Sequence, residues 1–305
     1  MKVWLAQTRA NFLLLAVFLV AIGLAYAAKY SVAEGFNAFQ AVLVLVGTVA
    51  AHISVNLFNE YSDYKSKIDF NTEQTPFSGG SKMLVSGQTS PRSVKIASLA
   101  SLLLAAGIGV YFSIVSHWSI ALISFIGAFA IVYYTPLLAK MVLGEFVAGL
   151  TLGSLVVIGT FIALTGSPGL SLGAIVPLEV WLISIPPGIL TALLLLLNEF
   201  PDAEADKAGG RFHLVIKFGK KKAAWIYAAG IAASFGTILL LPVLGITSVW
   251  IYLALLPLPL AIKASQTALK NGTDLVKLAP AMGMNVMVVL ATDLLIAVAV
   301  FIQLF

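Results

Sequence analysis

Apolar residues gather into about nine long runs, near 11–28, 38–58, 94–115, 119–137, 142–164, 178–198, 223–243, 247–264 and 280–304. Crossing the hydrocarbon core of a bilayer as a helix takes about 20 such residues, and each run is close to that length. None shows the polar–apolar alternation of a half-buried strand. In lipid, backbone N–H and C=O groups must be paired within the protein, and a helix pairs them inside one segment. The pattern predicts an all-α, polytopic membrane protein with nine transmembrane helices. Pro186-Pro187-Gly188 and the pair Pro257 and Pro259 interrupt two runs. They predict kinks in the sixth and eighth helices, because proline supplies no N–H to the preceding turn.

Composition agrees with this reading: 60% of the 305 residues are hydrophobic and 10% are charged, against about a quarter charged in a soluble domain. There are no cysteines, which excludes disulfides, thiolate catalysis and cysteine-based metal centres. Lys2 and Arg9 precede a first apolar run that ends Ala25-Tyr26-Ala27-Ala28, a pattern that resembles a cleavable leader. The run is long for a leader and a polytopic chain follows it, so it is read as the first spanning helix.

A net charge of +5 does not point to nucleic acid here; a membrane sorts charge by side. With a cytoplasmic N-terminus and alternating helices, 17 of the 18 Lys and Arg residues fall on the cytoplasmic side and only Lys29 falls outside. That asymmetry sets the orientation and supports the helix count. Two cytoplasmic loops, about 59–93 and 199–222, are much longer than the others. They carry Glu60, Asp63, Asp69, Glu73, Glu199, Asp202, Glu204 and Asp206, most of the chain's 13 acids. The chemistry is expected on that face.

Each acidic group lies where a spanning helix leaves the membrane. The first reads Asn59-Glu60-Tyr61-Ser62-Asp63 and is followed by Asp69; the second reads Asn198-Glu199-Phe200-Pro201-Asp202 and is followed by Asp206. The Asn-Glu-aromatic-x-Asp pattern recurs 139 positions on, from Asn59 to Asn198. The chain is therefore read as one domain, 1–305, of two pseudo-repeats, roughly 1–140 and 141–305, with a site at their interface. Residues four apart share a helix face. Asn59 with Asp63, and Asn198 with Asp202 and Asp206, thus form two oxygen-rich edges suited to Mg²⁺, which keeps room for waters and phosphate oxygens. Carboxylates alone would repel a diphosphate, so the metal is needed as a bridge between them.

Three ordered blocks give the sequence a family likeness: the first motif; Tyr134-Thr135-Pro136 through Lys140 to Leu143-Gly144-Glu145; and Gly188 through Asn198, Asp202 and Asp206 to Gly210-Arg211 and Phe218-Gly219. The chain resembles the UbiA superfamily of intramembrane prenyltransferases, and within it the MenA branch, which acts on 1,4-dihydroxy-2-naphthoate. The resemblance implies a nine-helix bundle around a central cavity, open sideways to lipid and capped by the two cytoplasmic loops. It also implies Mg²⁺-dependent transfer of a polyprenyl group from a prenyl diphosphate to a lipophilic or aromatic acceptor. Four positions depart from the family pattern. Glu60 replaces an Asp, Lys67 stands where another branch has Asp, Pro201 replaces a common Arg, and His213 stands near a usual Thr.

On this reading Asp63 and Asp202, with Asn59, Asn198 and Asp206, hold the metal that stabilises the leaving diphosphate. Lys67, Lys140 and Arg211 are candidates to grip the diphosphate, Arg211 through a bidentate fork. Tyr61, Tyr134 and Phe200 are candidates to face an allylic cation. Asp69 or Glu145 would take the acceptor's proton. His52, on the Asn56/Asn59/Asp63 side, and Asp293, midway along the last helix, read as interior hydrogen-bonded groups. Ser78-Gly79-Gly80-Ser81-Lys82 reads as a flexible loop, with phosphate wrapping by its N–H groups as the alternative. Two rival functions use similar features: an ion-coupled transporter, whose sites lie near the bilayer midplane, and the same transfer to another acceptor such as 4-hydroxybenzoate, homogentisate, a glycerol-phosphate ether lipid or haem.

Overall fold

The computed structural model describes residues 2–31, 36–72, 74–75 and 77–305. Glu73, counted above with the loop acids, lies outside the described residues. Eight helices are long and apolar enough to span: α1 (Ala10–Tyr30), α2 (Ala38–Lys65), α3 (Pro91–Val115), α5 (Gly144–Thr165), α6 (Leu178–Ala208), α7 (Leu214–Val243), α8 (Val249–Asn271) and α9 (Leu275–Leu304). Between α3 and α5 lies α4 (Ser119–Tyr133), apolar but only 15 residues long. At 1.5 Å per residue it covers about 22 Å. The helix stops there because Pro136 follows, bending the chain into a short 3₁₀ turn over Leu138–Lys140. Among the described residues, eight of the nine apolar runs are helices long enough to span and the ninth, α4, is a shorter apolar helix.

Proline shapes α6 and α8 as expected. The α6 helix breaks at Ser184, between Leu178–Ile183 and Ile185–Ala208, where Pro186 and Pro187 remove two donors. Carbonyls at the break are also held by side chains of neighbouring helices: Ser154 Oγ donates to the Ser184 carbonyl at 2.9 Å and Ser234 Oγ to the Pro186 carbonyl at 3.3 Å. Helix α8 begins as 3₁₀ over Val249–Leu255 and becomes α-helical after Pro257. In α7 the interruption is Gly219, at φ 79° and ψ 155°, a conformation open to glycine and strained for other residues.

Helices α5 and α6 approach backbone to backbone. A Cβ on Gly149 would stand 2.4 Å from the Gly188 carbonyl, and one on Gly153 2.5 Å from the Gly188 Cα. Small residues permit such contact in a membrane, where packing replaces the hydrophobic effect between helices. The same part of α5 is π-helical, over Gly149–Ser154. The core around it buries Tyr26, Phe161, Leu190, Ile238 and Val289. One buried polar link ties α6, α7 and α9: Tyr227 Oη donates to Asn285 Oδ1 at 3.0 Å, and Asn285 Nδ2 donates to the Leu193 carbonyl at 3.2 Å. By contrast α3 and α4 present Leu103, Ile114 and Phe125 outward, as lipid-facing helices do.

Candidate active site

Both acidic helix ends open on one cavity. Its lining includes Asn59 and Asp63 from α2, Asn198, Asp202 and Asp206 from α6, Asp69 from the first long loop, and Arg211 from the link between α6 and α7. The deeper wall is apolar, with Leu15, Ile131, Val147, Leu152, Val156 and Leu194. A polar, acidic mouth over an apolar interior suits a molecule with a charged head and a hydrocarbon tail.

Arg211 joins the two edges. Its Nη2 pairs with Asp63, and its Nη1 lies 3.1 Å from Asp206 Oδ1. Burial alone would lower its pKa, but the Asp63 and Asp206 charges hold it above the ordinary arginine value. Asn59 is oriented by Thr135, whose hydroxyl donates to Asn59 Oδ1 at 3.0 Å. Asn56 Nδ2 donates to the Thr8 carbonyl at 2.9 Å, fixing the N-terminal segment against α2.

The loop from Ser78 to Lys82 is tied down, contrary to the expectation of flexibility. Glu60 accepts from Ser81 N at 2.7 Å and from Ser81 Oγ at 2.6 Å, and Asp202 Oδ2 accepts from Gly79 N at 3.2 Å. Gly79 and Gly80 have φ of 84° and 70°, and a Cβ on Gly80 would meet Asp69 Oδ1 at 2.6 Å. Only glycine lets this loop lie against the acids. Lys82 Nζ reaches the Asp69 carbonyl and, at 2.6 Å, the Thr72 carbonyl. The Asp69 carboxyl is pushed from 3.8 up to about 7, first by burial and then by the Asp63 and Glu60 charges.

The donor set fits a hard cation. Asn198 Oδ1 and Asp202 Oδ1 are buried without a hydrogen-bond partner, an arrangement a protein rarely leaves uncompensated. They line the same cavity as Asp63 and offer oxygen alone, the chemistry that suits Mg²⁺. Asp206 is more occupied: one oxygen meets Arg211 and the other lies 3.4 Å from His213 Nε2.

Other expected groups lie elsewhere. Lys67 and Lys140 are exposed and are not among the residues lining the cavity. Of the three aromatic candidates, Tyr134 lines the cavity; Tyr61 packs under the Lys65 and Lys95 ammonium groups, and Phe200 is fully buried beside Gly272. His52 does line the cavity. Asp293 is fully buried, and neither oxygen has a partner among the described residues. Sequence reasoning passed over Arg9, which lines the same cavity and sits 3.6 Å from Glu60. It also passed over Phe12 and Phe77 in the lining, and over a buried group of Glu145, Glu199 and His213. Arg9 carries one sequence signal: a charge at the very start of an apolar run.

Residues 14–289 match the model of the UbiA prenyltransferase family. The chain belongs to the UbiA prenyltransferase family. Like other members of the family, this UbiA prenyltransferase is an integral membrane enzyme. It is 33% identical over 222 residues to the 1,4-dihydroxy-2-naphthoate octaprenyltransferase of Bacillus subtilis (strain 168), covering 72% of this chain and 68% of that protein. It is 24% identical over 305 residues to the protein of the same name from Escherichia coli (strain K12), covering 99% and 96%. Two solved UbiA homologs share the fold. An apo structure from Aeropyrum pernix K1 aligns with TM-score 0.74 at 18% identity, covering 97% of this chain and 98% of that one. One from Archaeoglobus fulgidus, bound to DMAPP and Mg²⁺, aligns with TM-score 0.63 at 17% identity, covering 98% of each.

Proposed function

We propose that this prenyltransferase moves a polyprenyl group from its diphosphate to 1,4-dihydroxy-2-naphthoate, with Mg²⁺ as cofactor and the active site on the cytoplasmic face. The observation that carries the reading is the convergence of Asp63 and Asp202, from separate helices, on one cavity with an apolar interior. The names of the Bacillus subtilis and Escherichia coli relatives support the acceptor. The Archaeoglobus fulgidus homolog's DMAPP and Mg²⁺ support the donor and the metal. The side is supported by the sorting of Lys and Arg, and the recurrence of Asn-Glu-aromatic-x-Asp supports two pseudo-repeats meeting at the site.

Asp63 and Asp202, with Asn59 and Asn198, are the proposed metal-holding groups. Mg²⁺, when bound, supplies the positive charge that lets carboxylates and a diphosphate share one site and that stabilises the leaving group. Arg211 keeps the two acidic ends together, and Arg9 offers a second cation to the diphosphate, in the role expected of Lys67 and Lys140. Gly79 and Gly80 bring the loop backbone to the same mouth, where the Gly79 N–H holds Asp202. The apolar wall keeps water from the allylic carbon after its C1–O bond breaks, and the Tyr134 ring can face the positive charge there. Asp69, whose carboxyl is pushed up to about 7 in the metal-free protein, is placed to exchange a proton near the mouth.

The test is direct. Purified protein with Mg²⁺, a radiolabelled prenyl diphosphate and a panel of acceptors is expected to label the naphthoate. Labelling of another acceptor alone would move the assignment within the family; no product with any acceptor, from folded protein, would overturn it. Asp63→Ala and Asp202→Ala should each lower kcat by at least about 10²-fold, the scale of losing a transition-state electrostatic group. Near-normal turnover in either would remove the metal assignment.

A further inference from the structure

Deeper along α6 lies a second set of ligand-type groups, apart from the Asp63 and Asp202 carboxylates. Glu145 at the start of α5, Glu199 on α6 and His213 just before α7 each place one ligand atom within 4.8 Å of the others. All three are nine-tenths buried or more, with relative exposures of 3%, 7% and 2%. Glu145 Oε2, Glu199 Oε2 and both His213 ring nitrogens lack a hydrogen-bond partner.

Carboxylates buried this deeply need either a shared proton or a compensating cation, and an ion bound between Glu145, Glu199 and His213 would supply the second.

We propose that Glu145, Glu199 and His213 form a second divalent-cation site, selective for a first-row transition ion such as Zn²⁺ or Mn²⁺ over Mg²⁺. The geometry has the parts of a metal centre. His213 Nδ1 lies 3.4 Å from Glu199 Oε2, the separation of two ligands on a tetrahedral ion with bonds of about 2.1 Å. On the other side of the ring, Nε2 faces Asp206 Oδ2 at 3.4 Å. A carboxylate behind the second nitrogen is the usual partner of a metal-bound histidine. Glu145 is likewise anchored by one oxygen, its Oε1 accepting from Leu214 N at 2.8 Å, while Oε2 stays unpaired.

One imidazole with two carboxylates favours a borderline ion; Mg²⁺ prefers oxygen alone. Bound there, the ion would fasten α5 to α6 and to the link that carries Arg211. It would set that arginine's position.

The test uses the full-length protein in detergent, stripped with chelator and free of any diphosphate. It is dialysed against Zn²⁺ in millimolar Mg²⁺, and metal is counted per chain. One Zn²⁺ retained by wild type and by Asp202→Asn, and lost from His213→Gln and Glu145→Gln, is the expected result. The affinity should fall at least about 100-fold in either of the last two. Co²⁺ alone gives a second reading from wild type without any variant: a visible absorption band of a nitrogen-ligated, low-coordinate ion, removed by added Zn²⁺. Zn²⁺ retention in folded His213→Gln, or no Zn²⁺ bound and no Co²⁺ band in wild type, would overturn the proposal. Because no prenyl transfer is measured, the result stands apart from the assignment of substrate.

Discussion

Arg211 decides how the two acidic helix ends stay in register, since one guanidinium nitrogen meets Asp63 and another Asp206. Lysine is a single point charge on a flexible stem and cannot hold two carboxylates in that geometry. Arg211→Lys is therefore expected to fold but to lose about 10²-fold in kcat, while Lys140→Ala, at an exposed position, changes kcat little. Equal rates for the two variants would refute the bridging role. The acids were legible in sequence because four-residue spacing puts them on one helix face. The cations were not, because every basic residue of the cytoplasmic side looks alike until the backbone is known. Lys67, at φ 63°, turns at the end of α2, and its side chain stays outside the cavity lining.

Asp69 gives a pH signature at the same scale. It ionises near 3.8 when unfolded and near 7 when folded, because burial and then the Asp63 and Glu60 charges oppose its ionisation. Between those values the native state holds more protons than the unfolded state. Metal-free protein should thus lose stability as pH rises from about 4 through about 7. Asp69→Asn removes this titration, so its unfolding midpoint, measured with chelator in detergent, should gain on wild type across that interval. Parallel curves for the two proteins would contradict the assignment.

At the scale of elements, the prolines of α6 and α8 were readable, since a missing N–H has a local consequence. The contact between α5 and α6 was not: nothing local marks Gly149, Gly153 and Gly188 as touching, and the π-helical stretch depends on that packing. The obstacle at Gly153 is backbone, the Gly188 Cα lying 2.5 Å from where an added methyl would stand, so no side-chain rotation relieves it. Gly153→Ala is expected to cost about 1–3 kcal/mol by overpacking, read as a lower unfolding midpoint. Gly107→Ala, with nothing within 4 Å of its Cβ, should leave the midpoint in place. The tied loop at Ser78–Lys82 belongs here too: its glycines suggested mobility, but Glu60 and Asp202, distant in sequence, hold it.

For the whole molecule the open quantity is which face of the membrane the cavity mouth meets. Lys29, the one basic residue assigned outside, does not oppose the assignment. Its ammonium group lies 2.8 Å from Glu179 Oε1 and Tyr30 Oη lies 3.0 Å from the other oxygen, so its charge is neutralised at the far ends of α1 and α6. With no cysteine in the chain, single cysteines report topology without background. Cysteines replacing Glu204 and Lys207, both exposed beside the acidic mouth, should resist a membrane-impermeant thiol reagent added to intact cells and react after lysis. Cysteines replacing Leu170 and Leu244, exposed on the opposite connections, should react before lysis. The reverse labelling would place the diphosphate site outside the cytoplasm, away from the pool of prenyl diphosphate the proposed reaction consumes. Reaction of both sets from one side would break the alternation on which the nine-helix order rests.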